Sequence, residues 1–154
     1  MPESDHQDSA MTVFVQLFYG SALLAVCALL HVACLVGAAA VLAKLAYRHR
    51  DLPAGIHSAM IIIGAVAALV VAHTAEVWLW ALSLLVLGAL HDVSDAVYFA
   101  LSTYTTLGYG DVVLAPGYRI FASMAAVTGL LAFGLSTAFL VAILTRHFPN
   151  ARFR

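Results

Sequence analysis

The chain has 154 residues, of which 64% are hydrophobic and 10% charged, and its mean hydropathy is +0.99. Soluble domains are about half apolar and about a quarter charged, so this composition excludes an ordinary soluble domain and indicates one membrane-embedded domain. The formal net charge is −1 and the seven Lys and Arg form no run, which gives no basis for nucleic-acid binding.

Met1 to Ala10 carries Glu3, Asp5 and Asp8 but no Lys or Arg. A secretory signal peptide needs a positive leading region, so residues 1–10 read as an extracellular tail and the apolar run that follows as a retained span. That first stretch covers residues 11–47. Cys27 and Cys34 lie seven apart within it, on one helical face and about 10 Å apart along the axis, too far for a disulfide within one helix. They read as small apolar residues, with a cross-link between subunits as the alternative.

The second stretch covers residues 56–90 and the third 117–146. About 20 apolar residues cross a bilayer as a helix. The first two stretches exceed that, so each can tilt, project beyond the bilayer, or break, the second near residue 74 among His73, Glu76, Trp78 and Trp80. Lys44, Arg48 and Arg50 flank the first connection, and Arg146, Arg152 and Arg154 follow the third stretch. The positive-inside rule makes both clusters cytoplasmic. The N-terminus and the loop holding Asp92 and Asp95 lack Lys and Arg and belong outside. The expected order is out, in, out, in, with three crossings and residues 147–154 as a short cytoplasmic tail. No cytoplasmic sensor domain is expected. Pro116 and Pro149 punctuate the third span. Arg119, near its outer end, can snorkel or pair with an acidic group.

Residues 94–111 lie between the second and third spans. Ser94 and Asp95 are candidate N-caps. The run to about Thr105 suits a helix of some three turns, too short to cross but suited to a re-entrant element. Thr106-Leu107-Gly108-Tyr109-Gly110-Asp111 follows. An ordinary turn is the plain reading of Gly and Asp here. The segment resembles the pore region of the potassium channel family, whose usual filter is Thr-Val-Gly-Tyr-Gly. Leu107 replaces the valine, and Thr105 matches the family's double threonine.

The resemblance implies that backbone oxygens of Thr106, Leu107, Gly108, Tyr109 and Gly110 replace the water of a K+ ion, with K+ sites at Thr106 to Tyr109. The threonine hydroxyl would close the innermost site. Such a backbone needs unusual dihedrals at alternate positions, which Gly108 and Gly110 tolerate. Tyr109 would point away from the pore, and Asp111 would sit at the pore mouth. Tyr98 and Phe99 match a family tryptophan pair that braces the filter. Ser102 stands where some members carry a glutamate. Gly129-Leu-Leu-Ala-Phe-Gly134 and Thr137 are similar to the inner helix of simple bacterial channels, with Gly129 at the gating hinge and Thr137 facing the cavity. Close helix packing for the glycines and a hydroxyl bonded to its own helix for Thr137 are the structural alternatives. The resemblance covers residues 76 to 146.

His31 lies about 20 Å from Lys44 and His73 about 22 Å from Ser58, so antiparallel spans bring them to similar depth. His73 and Glu76 share a helix face. The three form a candidate polar cluster between the first two spans, either a static hydrogen bond, a group titrating with pH, or a metal site.

The expected architecture is an all-α membrane protein with three transmembrane helices, a re-entrant pore helix and a filter loop. One filter strand cannot surround an ion, so the resemblance implies a homotetramer passing K+ passively through the cell's inner (plasma) membrane. The lipid bilayer and K+ are the expected partners, no cofactor is expected, and no enzyme activity. The first span lacks regularly spaced arginines and does not read as a voltage sensor. A less selective cation channel, a membrane metalloenzyme using His31, His73 and Glu76, and a non-conducting accessory subunit are the rivals.

Overall fold

The computed structural model describes residues 12–147, and it is all helical there. The expected tails at 1–10 and 147–154, with Pro149, Arg152 and Arg154, lie outside the described residues apart from the backbone of His147. Four helices follow in order: α1 Val13–Arg48, α2 Ala54–Val86, α3 Val93–Tyr104 and α4 Pro116–His147. α1, α2 and α4 are each long and apolar enough to cross a membrane. With 36, 33 and 32 residues, they extend about 54, 50 and 48 Å, well beyond a hydrocarbon core of about 30 Å.

Local chemistry sets where each helix starts and stops. Pro53 stands at the N-cap of α2, where its missing N–H leaves nothing unsatisfied. At the other end Gly88 adopts a left-handed φ of 68°. Its N–H donates to the Leu85 carbonyl, and that of Ala89 to Leu84. This paired closure requires the left-handed residue, and it ends α2 at Val86, short of the apolar stretch's end at Leu90. α2 is otherwise continuous. No break occurs near residue 74, where the Thr74 hydroxyl donates to the Val70 carbonyl of its own helix. The N-cap of α3 is Asp92 rather than Ser94 or Asp95. Its carboxylate accepts the N–H groups of Ser94 and Asp95 at 2.8 and 3.1 Å, and Asp95 then lies in the first turn, where a negative charge suits the helix dipole.

α1 packs lengthwise against both α2 and α4. It runs parallel to α4: Gln16 lies beside Ile120, Gly20 beside Met124 and His31 beside Ser136. The buried Gln16 side chain accepts the Ile120 N–H at 3.0 Å. Small residues set the approaches. A Cβ on Gly20 would lie 2.8 Å from Met124 Cγ, and one on Gly64 would lie 2.7 Å from Leu42 Cδ2. Near the α1–α2 connection, His57 Nε2 meets the Ala46 carbonyl at 3.1 Å, above a small cluster of Leu42, Ile61 and Ala65. The main core gathers Trp80 and Ala81 of α2, Ala96, Ala100 and Tyr104 of α3, and Phe121, Ala122 and Ala125 of α4. The outward faces remain apolar, with Phe14, Leu29 and Val86 more than 70% exposed, as lipid contact requires.

α3 projects back between α2 and α4. Its C-terminal residue Tyr104 reaches Glu76 and His73 of α2 and lies against Gly129 of α4. A Cβ on Gly129 would stand 1.9 Å from the Tyr104 carbonyl oxygen, a backbone clash that no rotamer relieves. Gly129→Ala should therefore destabilise the detergent-solubilised protein by about 1–3 kcal/mol or more. Gly37 of α1 has open space at its Cβ position, and Gly37→Ala should be neutral or slightly stabilising, up to about 1 kcal/mol. Thermal melting of both variants beside the parent measures the contrast.

Candidate functional site

After Tyr104 the chain leaves helical geometry while still between α2 and α4. Thr106, Gly108 and Gly110 have φ of 62°, 53° and 78°. Thr106 is the one non-glycine residue with positive φ among the described residues, so Leu107 and Tyr109 between them stay on the ordinary side. A β-branched residue is strained there, at a cost of about 1–3 kcal/mol. Alternating left- and right-handed residues direct successive N–H groups to one side of the chain. Across planar trans peptides the carbonyls then face the other side. The Leu107 and Gly108 N–H groups both donate to the Ser102 carbonyl, at 2.9 and 3.1 Å. The Thr106 N–H donates to Thr103, and the Thr105 hydroxyl to Leu101 at 2.8 Å.

The side chains of Leu107 and Tyr109 line an apolar cleft of about 400 Å³ with Tyr98, Leu101, Ser102 and Thr105. These two side chains therefore lie toward α3. Ser102 supports the loop through its backbone carbonyl, while its hydroxyl turns to the Phe99 carbonyl of its own helix. Phe99 is half-buried against the main core.

The far end of the loop is pinned by Tyr98, whose hydroxyl donates to Asp111 Oδ2 at 2.6 Å. Asp111 Oδ1 accepts the Val112 N–H at 3.1 Å. The Tyr98 bond holds the Asp111 carboxyl below the usual carboxylate range, and the Asp111 carboxylate raises the Tyr98 phenol above its usual range. The contribution of this bond is present above the ordinary carboxylate value and is lost as pH falls through the lowered value of Asp111. On the alkaline side it persists until pH rises through the raised value of Tyr98.

His31, His73 and Glu76 do come together, with two partners that sequence reasoning missed. His31 Nδ1 lies 3.1 Å from Glu76 Oε1, and its Nε2 lies 3.1 Å from Ser136 Oγ. The same Ser136 Oγ lies 2.9 Å from His73 Nε2, and His73 Nδ1 lies 2.7 Å from the Tyr104 hydroxyl. The Tyr104 hydroxyl donates to Glu76 Oε2. His31, Glu76, Tyr104 and Ser136 are buried and His73 is half-buried. A hydroxyl inside an apolar span was a visible signal for Ser136. Nothing in the sequence tied Tyr104 to the cluster. One ligand atom from each of His31, His73 and Glu76 falls within a 4.8 Å set, and zinc accepts these residue types. Both nitrogens of each imidazole and both carboxylate oxygens already have hydrogen-bond partners, which accounts for the cluster without an ion.

Gly129 is buried by its contact with Tyr104, whereas Gly134 has nothing within 4 Å of its Cβ position. The Thr137 hydroxyl is exposed and bonds the Phe133 carbonyl of its own helix at 2.8 Å. Among the described residues Arg119 meets no acidic group, and its Nε donates to the Leu114 carbonyl at 2.8 Å. Cys27 and Cys34 are free thiols.

The Tyr98–Asp111 bond predicts a pH signature. Tyr98→Phe should speed backbone amide exchange at residues 107–112, by a factor that stays constant from about pH 5 to pH 9. The difference from the parent should vanish in acid below the lowered Asp111 value, as read by hydrogen–deuterium exchange.

A family model described as an ion channel matches residues 59–146, more than half of the chain. The match takes in most of α2 and all of α3, the loop and nearly all of α4, and it leaves out α1. No match was found among curated proteins or among solved structures. The family is one of channels rather than enzymes, and the chain, with its three apolar helices and the loop held between them, belongs to the ion channel family as a multi-pass membrane protein.

Proposed function

We propose that this chain is one subunit of a homotetrameric, K+-selective channel, and that residues 106–110 form its filter. The observation that carries the reading is the alternation of left-handed backbone at Thr106, Gly108 and Gly110, with Leu107 and Gly108 amides drawn back to Ser102. K+ sheds water only where oxygens replace it, and carbonyls of Thr106, Leu107, Gly108 and Tyr109 on one side of the strand suit that task. Thr106 would add its hydroxyl to the innermost site, and Asp111 would stand at the outer mouth. α3 acts as the re-entrant pore helix. Its negative C-terminal end favours a cation in the water-filled space below the filter.

Residues 105–111 are exposed in the single chain. A bare strand of carbonyls cannot enclose an ion, so four copies around one axis complete the rings, with the bilayer around them and transport running down the gradient. Lys44, Arg48 and Arg50 beside the α1–α2 connection and Arg146 at the end of α4 favour the cytoplasmic side. The N-terminus then lies outside, the C-terminus lies inside, and the cell's inner membrane is the site of action. Gly129 and Gly134 face opposite constraints. The first is fixed by packing at the base of α3, and the second leaves α4 free to bend below it.

The test is the reversal potential of planar bilayers containing only this protein, with K+ on one side and Na+ on the other. A value near the K+ equilibrium potential is expected. Current reversing near zero would instead favour the less selective cation channel, and no current from a well-folded tetramer would favour the accessory subunit. Gly108→Ala places a Cβ at φ 53° and should abolish selective current, because an L-residue pushes that peptide out of the left-handed region.

A further inference from the structure

The polar contacts among His31, Glu76, Tyr104, His73 and Ser136 close on themselves. Glu76 meets His31, His31 meets Ser136, Ser136 meets His73, His73 meets Tyr104, and Tyr104 returns to Glu76. Five groups from all four helices make five contacts in one ring. Each contact holds one proton if it is a hydrogen bond, so a complete ring holds five. Ser136 and Tyr104 bring one each, and two neutral imidazoles bring one each. The fifth sits either on Glu76 as a carboxylic acid or on one imidazole facing a Glu76 carboxylate. In both cases the ring is complete only at zero net charge. A sixth proton sets two donors against each other, and a fourth-proton state sets two lone pairs against each other. Zero charge is also what burial among apolar spans demands.

The ring is placed where the filter begins. Tyr104 is the last residue of α3, two residues before Thr106, and its backbone already abuts Gly129. Its side chain is held from two directions, by Glu76 and His73. One contributor, His31, comes from α1, which lies outside the segment matched by the family model. Without α1, Glu76 Oε1 and one side of Ser136 would be left buried and unpaired, each a costly vacancy in an apolar surround.

We propose that α1 serves as a positioning element for the filter, completing through His31 a neutral, five-proton hydrogen-bond ring that fixes Tyr104 and hence the inner end of the loop. The inference rests on the filter reading above. It makes the peripheral helix part of the pore machinery, and it assigns positioning roles to His31, Glu76, His73, Tyr104 and Ser136.

Glutamine at position 76 supplies an N–H and a C=O in the places of the acid's O–H and C=O, and it reproduces the complete ring in either direction of donation. Alanine at 76 or 136 and phenylalanine at 104 each leave two contacts unmade. The experiment uses full-length tetramer carrying Glu76→Gln, Glu76→Ala, Tyr104→Phe or Ser136→Ala, with two readouts. One is amide exchange at residues 105–110 in detergent, which needs no conduction. The other is the K+/Na+ reversal potential. Glu76→Gln should match the parent in both. The three disrupting variants should raise exchange at 105–110 at least about ten-fold and move the reversal potential toward zero. Ser136→Ala removes a single oxygen and keeps the fold testable if Glu76→Ala does not assemble.

Parent-like exchange in Ser136→Ala and Tyr104→Phe would overturn the positioning role. Damage in Glu76→Gln equal to that in Glu76→Ala would overturn the neutral ring. A parent protein that passes Na+ as readily as K+ would undo the filter reading by itself, while the exchange data would still report on the ring.

Discussion

Where a chain leaves helical geometry beside long apolar helices, its backbone N–H groups need partners outside a helix ladder, and meeting that need shapes this structure. From Thr105 to Asp111 the backbone has no helix of its own to satisfy it. The Ser102 carbonyl takes the amides of Leu107 and Gly108, and Thr103 takes that of Thr106. With the amides of Thr106, Leu107 and Gly108 drawn to α3, the alternating backbone turns its carbonyls to the other side. In the proposed function, the geometry that satisfies part of the loop also offers those carbonyls to a cation. It also requires the loop to be clamped, by Tyr98 on Asp111 at one end and by the contacts of Tyr104 at the other.

The three long helices are arranged around that clamp. α4 approaches the end of α3 closely because Gly129 has no side chain. α2 presents Glu76 and His73, one helical turn apart, toward Tyr104. α1 fills the remaining side, held to α4 by Gln16 and Gly20 near one end and joined to the polar ring by His31. An apolar bundle in lipid gains little from the hydrophobic effect between helices, so close-packed small residues and buried hydrogen bonds carry the specificity of assembly.

Much of this was legible from residue order. The three apolar stretches are long enough to span, and the pattern Thr-Leu-Gly-Tyr-Gly-Asp marks the loop through the two glycines it needs at alternate positions. The third left-handed residue, Thr106, was not legible, since a β-branched residue there runs against local preference and is held by its surroundings. Helix ends were partly readable. Gly88 stops α2 earlier than its apolar run does, and Asp92 takes the cap that Ser94 and Asp95 also suited, because the chain is extended at Asp92 (φ −99°, ψ 136°). The depth of His31 and His73 could be counted along the spans, but which hydroxyls meet them could not. Tyr104 and Ser136 reach the histidines only through the way α3 and α4 pack, which no spacing along the chain encodes.

The central claim is that carbonyls of residues 106–110 line an ion path shared by four subunits. The most direct test is a structure of the assembled protein in thallium or rubidium salt, with the ions located by anomalous scattering. The account predicts four-fold symmetry and a row of ions on the axis, level with the carbonyl oxygens of Thr106 to Tyr109. A tetramer whose axis is ion-free at that level, or a chain that packs with its 106–110 strand facing lipid, would contradict it.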